Sequence, residues 1–260
     1  AGASLRTVYR AGVEKEFDQP ETPIRRPQGA TEAIKYSKKP IVAAPFSQTL
    51  GGGCEVMMHC AAAVPFVETY SGLVEVGVGL VPAGGGCTEL LLRLMDRSYG
   101  TEKIDRYDAA VTAFQYVAQA KMNMSAYEAI DNGYLNKGTF VEMTKDKLIS
   151  SAKREVLMMA DRGYMPPVKR KVQVMGDYTY GMILAQIEYA RGAGLMSEHD
   201  VLISKKIGRI VTGGDLPFGV EVSIDQLHDL ECESFLSLAG TEKTQDRIMY
   251  MLSNGKPLRN

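Results

Sequence analysis

The pattern of apolar and polar positions divides the chain into three parts. Residues 1–29 are polar, contain three prolines and show no sustained period, which predicts a linker or a remnant of an upstream region. Residues 30–145 alternate short apolar runs with helical patterns, which is typical of an α/β core. Residues 146–260 show mainly helical periodicity. We therefore predict an α/β core followed by a helical C-terminal region.

A strand, a glycine stretch, a helix and a second strand follow one another near the start of the core. The elements predicted for the core are a helix over Ala30–Ser37, a strand over Ile41–Ala44, a helix over Glu55–Ala63, a return strand over Val64–Tyr70, a helix capped by Ser125 and ended by Gly133, and a strand from Tyr134. The helices predicted beyond it are Lys147–Arg162, Tyr178–Arg191, Ser197–Val211 and one that Ser223 opens and Gly240 ends, with Ile224, Leu227, Leu230, Phe235 and Leu238 as its buried stripe.

Composition narrows the classes of function. Thirty Lys and Arg against 31 Asp and Glu give a net charge of −1, which provides no general attraction for nucleic acid. The four cysteines form no CxxC pair and no standard zinc pattern, so we predict free thiols and no metal site. No apolar run reaches the roughly 18 residues of a membrane span, and no signal-peptide core is present. We expect a cytoplasmic protein.

The glycine triplet Gly51–Gly53 and two glutamates are the candidate chemistry. Amides at the start of a helix are unpaired and stabilise a carbonyl oxygen that gains negative charge, so this turn is a candidate oxyanion site. Glu55 lies in the first turn of the predicted helix, while Glu75 stands among apolar residues that raise the pKa of a carboxyl group. Two such acids suit the addition of water across a double bond conjugated to a carbonyl.

Each of these features also has a purely structural alternative. The glycine triplet alone is compatible with a tight strand-to-helix turn. Glu55 alone is compatible with a carboxylate that stabilises the helix dipole, and Glu75 with a buried salt bridge.

The segments "KPIVAAPFSQTLGGGCEV" and "ETYSGLVEVGVGLVPAGGGCTELL" resemble the core signature of the enoyl-CoA hydratase/isomerase (crotonase) superfamily. The resemblance implies a crotonase-like α/β fold, a spiral of ββα units. It also implies that the Gly52 amide polarises a thioester carbonyl and that Glu55 and Glu75 share the acid and base work. Because both glutamates are present, the resemblance favours a hydratase.

The downstream chain is similar to a narrower group. "AKMNMSAYEAIDNGYL", "TGGDLPFGVEVS" and the ending "GKPLRN" resemble the hydratase half of bacterial fused 3-hydroxyacyl-CoA dehydrogenase/enoyl-CoA hydratase proteins. The start departs from the family, whose second oxyanion amide usually lies in a short AGA segment. Ala1 is the weak match to it, and we expect a core that is incomplete at its N-terminus.

The resemblance implies reversible hydration of trans-2-enoyl-CoA to 3-hydroxyacyl-CoA in fatty-acid β-oxidation, within a longer dehydrogenase protein. The alternatives are an enoyl-CoA isomerase and a non-catalytic lobe that binds acyl-CoA and packs on the dehydrogenase half. Coenzyme A enters as part of the substrate, with Gly84, Gly85, Lys169 and Arg170 as candidate contacts or loop supports; for the basic pair, a solvated turn is the alternative.

"GVGLVP" lacks the third glycine of a dinucleotide fingerprint, so we place NAD only in the missing dehydrogenase half. The family further implies a homo-oligomer, and we expect neither nucleic-acid binding nor a membrane span.

Overall fold

A computed structural model describes residues 4–14, 25–97 and 106–260 of the chain. Its helices are α1 (Leu5–Glu14), α2 (Arg25–Lys35), α3 (Gly52–His59), α4 (Gly86–Arg97), α5 (Arg106–Ala118), α6 (Ala126–Asp131), α7 (Leu148–Asp161), α8 (Gly176–Gly192), α9 (Glu198–Thr212), α10 (Ile224–Ala239) and α11 (Glu242–Asn254). Its strands are β1 (Val42–Ala43), β2 (Ser47–Leu50), β3 (Ala62–Ala63), β4 (Thr69–Gly72), β5 (Lys171–Gln173) and β6 (Glu221–Ser223). Two short 3-10 helices, Glu75–Val78 and Lys145–Lys147, complete the described elements.

The four strands of the core form two parallel pairs. β3 pairs with β1, with Val42 opposite Ala62, and β4 pairs with β2, with Leu50 opposite Gly72. The chain runs through β1 and β2 into α3, and then through β3 and β4 into α4. In this second passage β3 joins the sheet of β1, and β4 joins the sheet of β2. This is the predicted spiral of ββα units.

The strands differ in detail from the sequence prediction. The strand predicted over Ile41–Ala44 is only β1, and a separate strand, β2, leads into the glycines. The return strand predicted over Val64–Tyr70 is wrong as one element, because β3 ends before Pro65 and β4 begins at Thr69. The predicted strand from Tyr134 is also wrong. Tyr134 is buried in a turn, and the Leu135 amide donates to the Ala129 carbonyl of α6.

Helix starts follow the capping signals of the sequence closely. Ser223 opens α10 with a capping box, in which its side chain and that of Gln226 each accept from the other residue's amide. Ser125 caps α6, and Gly133, with φ 91°, follows that helix. In contrast, α3 starts at Gly52, three residues before the predicted start, since the glycines themselves form its first turn.

The main hydrophobic core joins the three predicted parts of the chain. It contains Val8 of α1, Leu90 of α4, Ile207 of α9 and Ile248 of α11. The segment 1–29, predicted as an irregular linker, therefore includes a helix, whose Val8 is buried because α1 packs on α10 and α11. In the part of the chain that the structure describes, no helix combines the length and apolar character needed to cross a bilayer.

Candidate active site

The turn between β2 and α3 requires glycine at its first position. Gly51 has φ 57° and ψ −130°, and its amide donates to the Gly72 carbonyl over 2.9 Å, which extends the β2–β4 ladder. A Cβ atom on Gly51 would lie 3.1 Å from Oε1 of Glu75. The turn thus brings the beginning of α3 directly against the second glutamate.

The amides of Gly52 and Gly53 open α3. The first intrahelical bonds are those that the Cys54 and Glu55 amides donate to the Gly51 carbonyl, at 2.8 and 3.0 Å. Among the described residues, the Gly52 and Gly53 amides have no backbone acceptor. Unpaired amides at the positive end of a helix dipole are suited to hold an oxyanion.

Glu55 is ionisable but buried, and backbone amides hold it. Its Oε1 accepts from the Gly84 amide at 2.8 Å and from the Gly86 amide at 2.9 Å. The approach is close enough that a Cβ atom on Gly84 would lie 2.5 Å from Glu55 Oε2. Burial raises the pKa of Glu55 to about 7, while the two amide hydrogen bonds act in the opposite direction.

Glu75 has a different environment. It begins the 3-10 helix Glu75–Val78, and its Oε2 is buried with no hydrogen-bond partner among the described residues. Burial first, and the charge of Glu55 second, raise the pKa of Glu75 well above its ordinary value. The two acids are therefore inequivalent. Burial raises the pKa of both, but two amide hydrogen bonds favour the carboxylate of Glu55, whereas the charge of Glu55 further favours the protonated form of Glu75.

Helices of the C-terminal region hold the backbone on which both acids depend. The Thr244 hydroxyl of α11 donates to the Gly79 carbonyl at 2.8 Å, and Arg247 donates to the Val76 carbonyl at 3.3 Å. Both carbonyls belong to the 3-10 helix of Glu75 or to the residue that ends it. From α10, Glu231 accepts from the Gly85 amide at 2.9 Å and from the Thr88 amide at 2.7 Å.

These supporting residues were missed by the sequence interpretation. For Glu231 a signal was available, because it lies four residues after Leu227 and four before Phe235, on the apolar stripe of α10. A carboxylate on a buried stripe needs partners. For Thr244 and Arg247, no sequence pattern indicated that α11 faces the 3-10 helix.

The other residues predicted for the site do not lie together. Gly84 and Gly85 support the loop, since their amides donate to Glu55 and Glu231. Lys169 forms exposed ion pairs with Glu32 and Asp225, and Arg170 one with Asp96. Ala1 lies outside the described residues. The role of Ala1 as an oxyanion amide stays a prediction, and so does coenzyme A binding by Gly84, Gly85, Lys169 and Arg170.

Two curated proteins resemble the chain in sequence. Over 259 residues, the chain is 41% identical to a probable 3-hydroxyacyl-CoA dehydrogenase of Bacillus subtilis, which covers 100% of this chain and 32% of the relative. A short-chain-enoyl-CoA hydratase of Clostridium acetobutylicum is 34% identical over 104 residues, 40% of this chain and 34% of that protein. The chain thus spans about a third of the length of these relatives. No protein-family model matches it.

Solved structures agree with the fold derived from the strand order. The crystal structure of an enoyl-CoA hydratase from Bacillus halodurans superposes with a TM-score of 0.54 at 13% identity, and covers 96% of this chain and 75% of that one. The chain has the crotonase fold, and its resemblance to the enoyl-CoA hydratase/isomerase superfamily is confirmed.

The buried acids predict that the protein loses stability as the pH rises past neutrality. Burial raises the pKa of Glu55 to about 7 and that of Glu231 to about 8, above the value of 4.5 that is usual for an exposed glutamate. Up to these pH values the folded state binds more protons than the unfolded state. The free energy of unfolding therefore falls as the pH rises through them.

Denaturant midpoints measured between pH 7 and pH 8 test this expectation. Burial lowers the pKa of His59, His199 and His228 below the ordinary 6.5, so their effect on stability lies mainly at lower pH. The midpoint should fall across the window in the wild-type protein and fall less after Glu231→Gln. A midpoint that stays constant or rises would contradict the assigned pKa shifts.

Proposed function

We propose that the chain is the hydratase unit of a longer 3-hydroxyacyl-CoA dehydrogenase protein and catalyses reversible hydration of trans-2-enoyl-CoA to 3-hydroxyacyl-CoA. The observation that carries the proposal is the buried Glu55 and the partly buried Glu75, in unlike environments beside the unpaired amides of α3. The names of its relatives, a 3-hydroxyacyl-CoA dehydrogenase and an enoyl-CoA hydratase, support the same reaction class.

In the proposed mechanism, the Gly52 amide holds the thioester oxygen, which gains negative charge as water adds to the β-carbon. Glu55, held as a carboxylate by two amides, removes a proton from that water. Glu75, favoured in its protonated form, delivers a proton to the α-carbon. Glu55 ends protonated and Glu75 ionised, and proton exchange through water restores the starting state. Because the two acids interact, their titration belongs to the pair.

The site allows two alternatives that use the same residues differently. In an isomerase, an ionised glutamate acts as a base and removes a proton from the α-carbon of a 3-enoyl-CoA, and the protonated glutamate then returns a proton to the γ-carbon. In a non-catalytic lobe, acyl-CoA binds without turnover while the fold supports the dehydrogenase half. We favour hydration, because retaining both Glu55 and Glu75 supplies separate groups for the water and for the α-carbon proton.

Loss of the conjugated thioester absorbance of crotonyl-CoA tests the proposal, with product analysis for 3-hydroxybutyryl-CoA. We expect saturable hydration by the 260-residue chain. Conversion of a 3-enoyl-CoA without hydration would indicate the isomerase. Acyl-CoA binding without turnover of either substrate would contradict the proposal for this chain and favour the non-catalytic lobe.

A further inference from the structure

A third carboxylate, Glu231, contacts the glycine loop that holds Glu55. Its side chain is completely buried. Its Oε2 accepts from the Gly85 amide, and its Oε1 accepts from both the amide and the hydroxyl of Thr88, at 2.7 and 2.8 Å. All three donors lie in the segment from the loop into the first turn of α4.

Glu55 and Glu231 bind this segment from opposite sides. The amides of Gly84 and Gly86 point to Glu55 of α3, and the intervening amide of Gly85 points to Glu231 of α10. Gly85 has φ 93°, and a Cβ atom there would lie 2.9 Å from Nε2 of His59. The segment therefore has little room to move away from either carboxylate.

We propose that Glu231 is a positioning residue, which holds Gly85 and Thr88 so that the Gly84 and Gly86 amides stay on Glu55. The inference rests on the proposed function for its catalytic meaning, but its geometric content does not depend on turnover. Through these amides, Glu231 sets the orientation of the Glu55 carboxylate and its affinity for a proton.

In the part of the chain that the structure describes, few other titratable groups lie near Glu55 and Glu231. Glu75 lies on the 3-10 helix, and the thiols of Cys54 and Cys87 stay neutral because burial raises their pKa values. His59 and His228 contribute little positive charge at neutral pH, because burial lowers their pKa values. Burial raises the pKa of Glu231 to about 8, so Glu231 carries only part of its charge where Glu55 titrates. A change in the pKa of Glu55 on altering Glu231 thus reports mainly on the loop and less on this charge.

Glu231→Gln separates these two effects by their sign. A glutamine nitrogen does not accept a hydrogen bond, so in either orientation it opposes the amide of Gly85 or of Thr88 and displaces the loop. Weaker amide bonds raise the pKa of Glu55, whereas removing a neighbouring negative charge lowers it. Positioning therefore predicts an upward shift, and a purely electrostatic role predicts a downward one.

The experiment follows the side-chain carboxyl ¹³C resonance of Glu55, assigned by its loss in Glu55→Gln, in the full chain. In Glu231→Gln we expect its titration to move up by about one pH unit. Crotonyl-CoA hydration should show kcat about tenfold lower with KM nearly unchanged. A titration that is unchanged or shifted down in the folded variant overturns the proposal. If the wild-type chain did not hydrate crotonyl-CoA, the proposed function would be overturned instead. The Glu55 resonance would then still test the positioning role of Glu231.

Glu142→Gln provides the matched control. Glu142 is also buried and likewise accepts from a backbone amide, that of Thr144, and from a hydroxyl, that of Ser151, but its contacts lie away from the glycine loop. We expect this variant to lose stability without moving the Glu55 titration. If Glu231→Gln does not fold, Thr88→Val keeps the amide and removes only the hydroxyl. Thr88→Val should then raise the pH midpoint of the Glu55 titration by a smaller amount. If this midpoint did not shift, the proposal would be overturned.

Discussion

Replacement of Glu75 by glutamine is expected to lower kcat for crotonyl-CoA hydration by at least about 10³-fold. Glutamine keeps the shape of the side chain but cannot deliver a proton to the α-carbon. The Glu75 Oε2 atom has no hydrogen-bond partner among the described residues, so the glutamine nitrogen can take its place while the remaining oxygen keeps the backbone hydrogen bonds of the carboxyl group. Since the buried acid also loses an unfavourable ionisation, the variant should fold at least as stably as the wild type at pH 8.

Glu68→Gln is the matched control for this prediction, because Glu68 is exposed and lies just before β4. Its kcat should equal that of the wild type. If Glu75→Gln instead kept more than about a tenth of the activity, Glu75 would not be the proton donor, and a different source of the α-carbon proton would be needed.

Replacement of Gly84 by alanine is expected to lower kcat by about a hundredfold, because the added methyl group displaces the carboxyl group of Glu55. The Cβ atom of Gly84→Ala would lie 2.5 Å from Oε2 and 3.0 Å from Cδ of Glu55, and the three atoms nearest to it all belong to the Glu55 carboxyl group. The carboxyl group must therefore turn away from the amides of Gly84 and Gly86. Stopped assays of hydration at saturating crotonyl-CoA measure this loss, and circular dichroism checks that the fold persists.

Gly181→Ala is the corresponding control, since Gly181 is an exposed residue within α8 and a Cβ atom there meets nothing within 4 Å. It should leave kcat unchanged and raise the free energy of unfolding by about 0.5–1 kcal/mol, because alanine favours helix more than glycine. Equal activity in Gly84→Ala and Gly181→Ala would show that the amide cradle of Glu55 is not needed for turnover.

The sequence predicted the two central acids because their signals are local. Glu55 lies two residues after the glycine triplet, and Glu75 stands in an apolar run with fixed glycine and proline spacing. The sequence did not show how the environments of these two acids differ. This difference depends on amides 29 and 31 residues away from Glu55, and nothing in its own neighbourhood indicates that Gly84 and Gly86 fold back onto it.

The errors in the fold prediction have the same physical origin. Tyr134 and Leu135 have the apolar character of a strand, but they are buried by folding back on α6 rather than by pairing with a neighbouring strand. Helix α1 was predicted as irregular because its few apolar residues show no sustained period, and the burial of Val8 comes from contact with distant helices. Local patterns identify what a segment prefers, whereas long-range packing decides these cases.

The hydrogen bonds by which α10 and α11 hold the glycine loop and the 3-10 helix have a consequence for engineering. A chimera that exchanged these two helices for those of a relative would keep Glu55, Glu75 and every other residue of the ββα spiral. Where the relative has other residues in place of Glu231 and Thr244, the chimera would nevertheless change the partners of Gly79, Gly85 and Thr88. We expect such an exchange to shift the pKa values of Glu55 and Glu75, and with them the pH optimum of the proposed hydration, although neither acid is replaced.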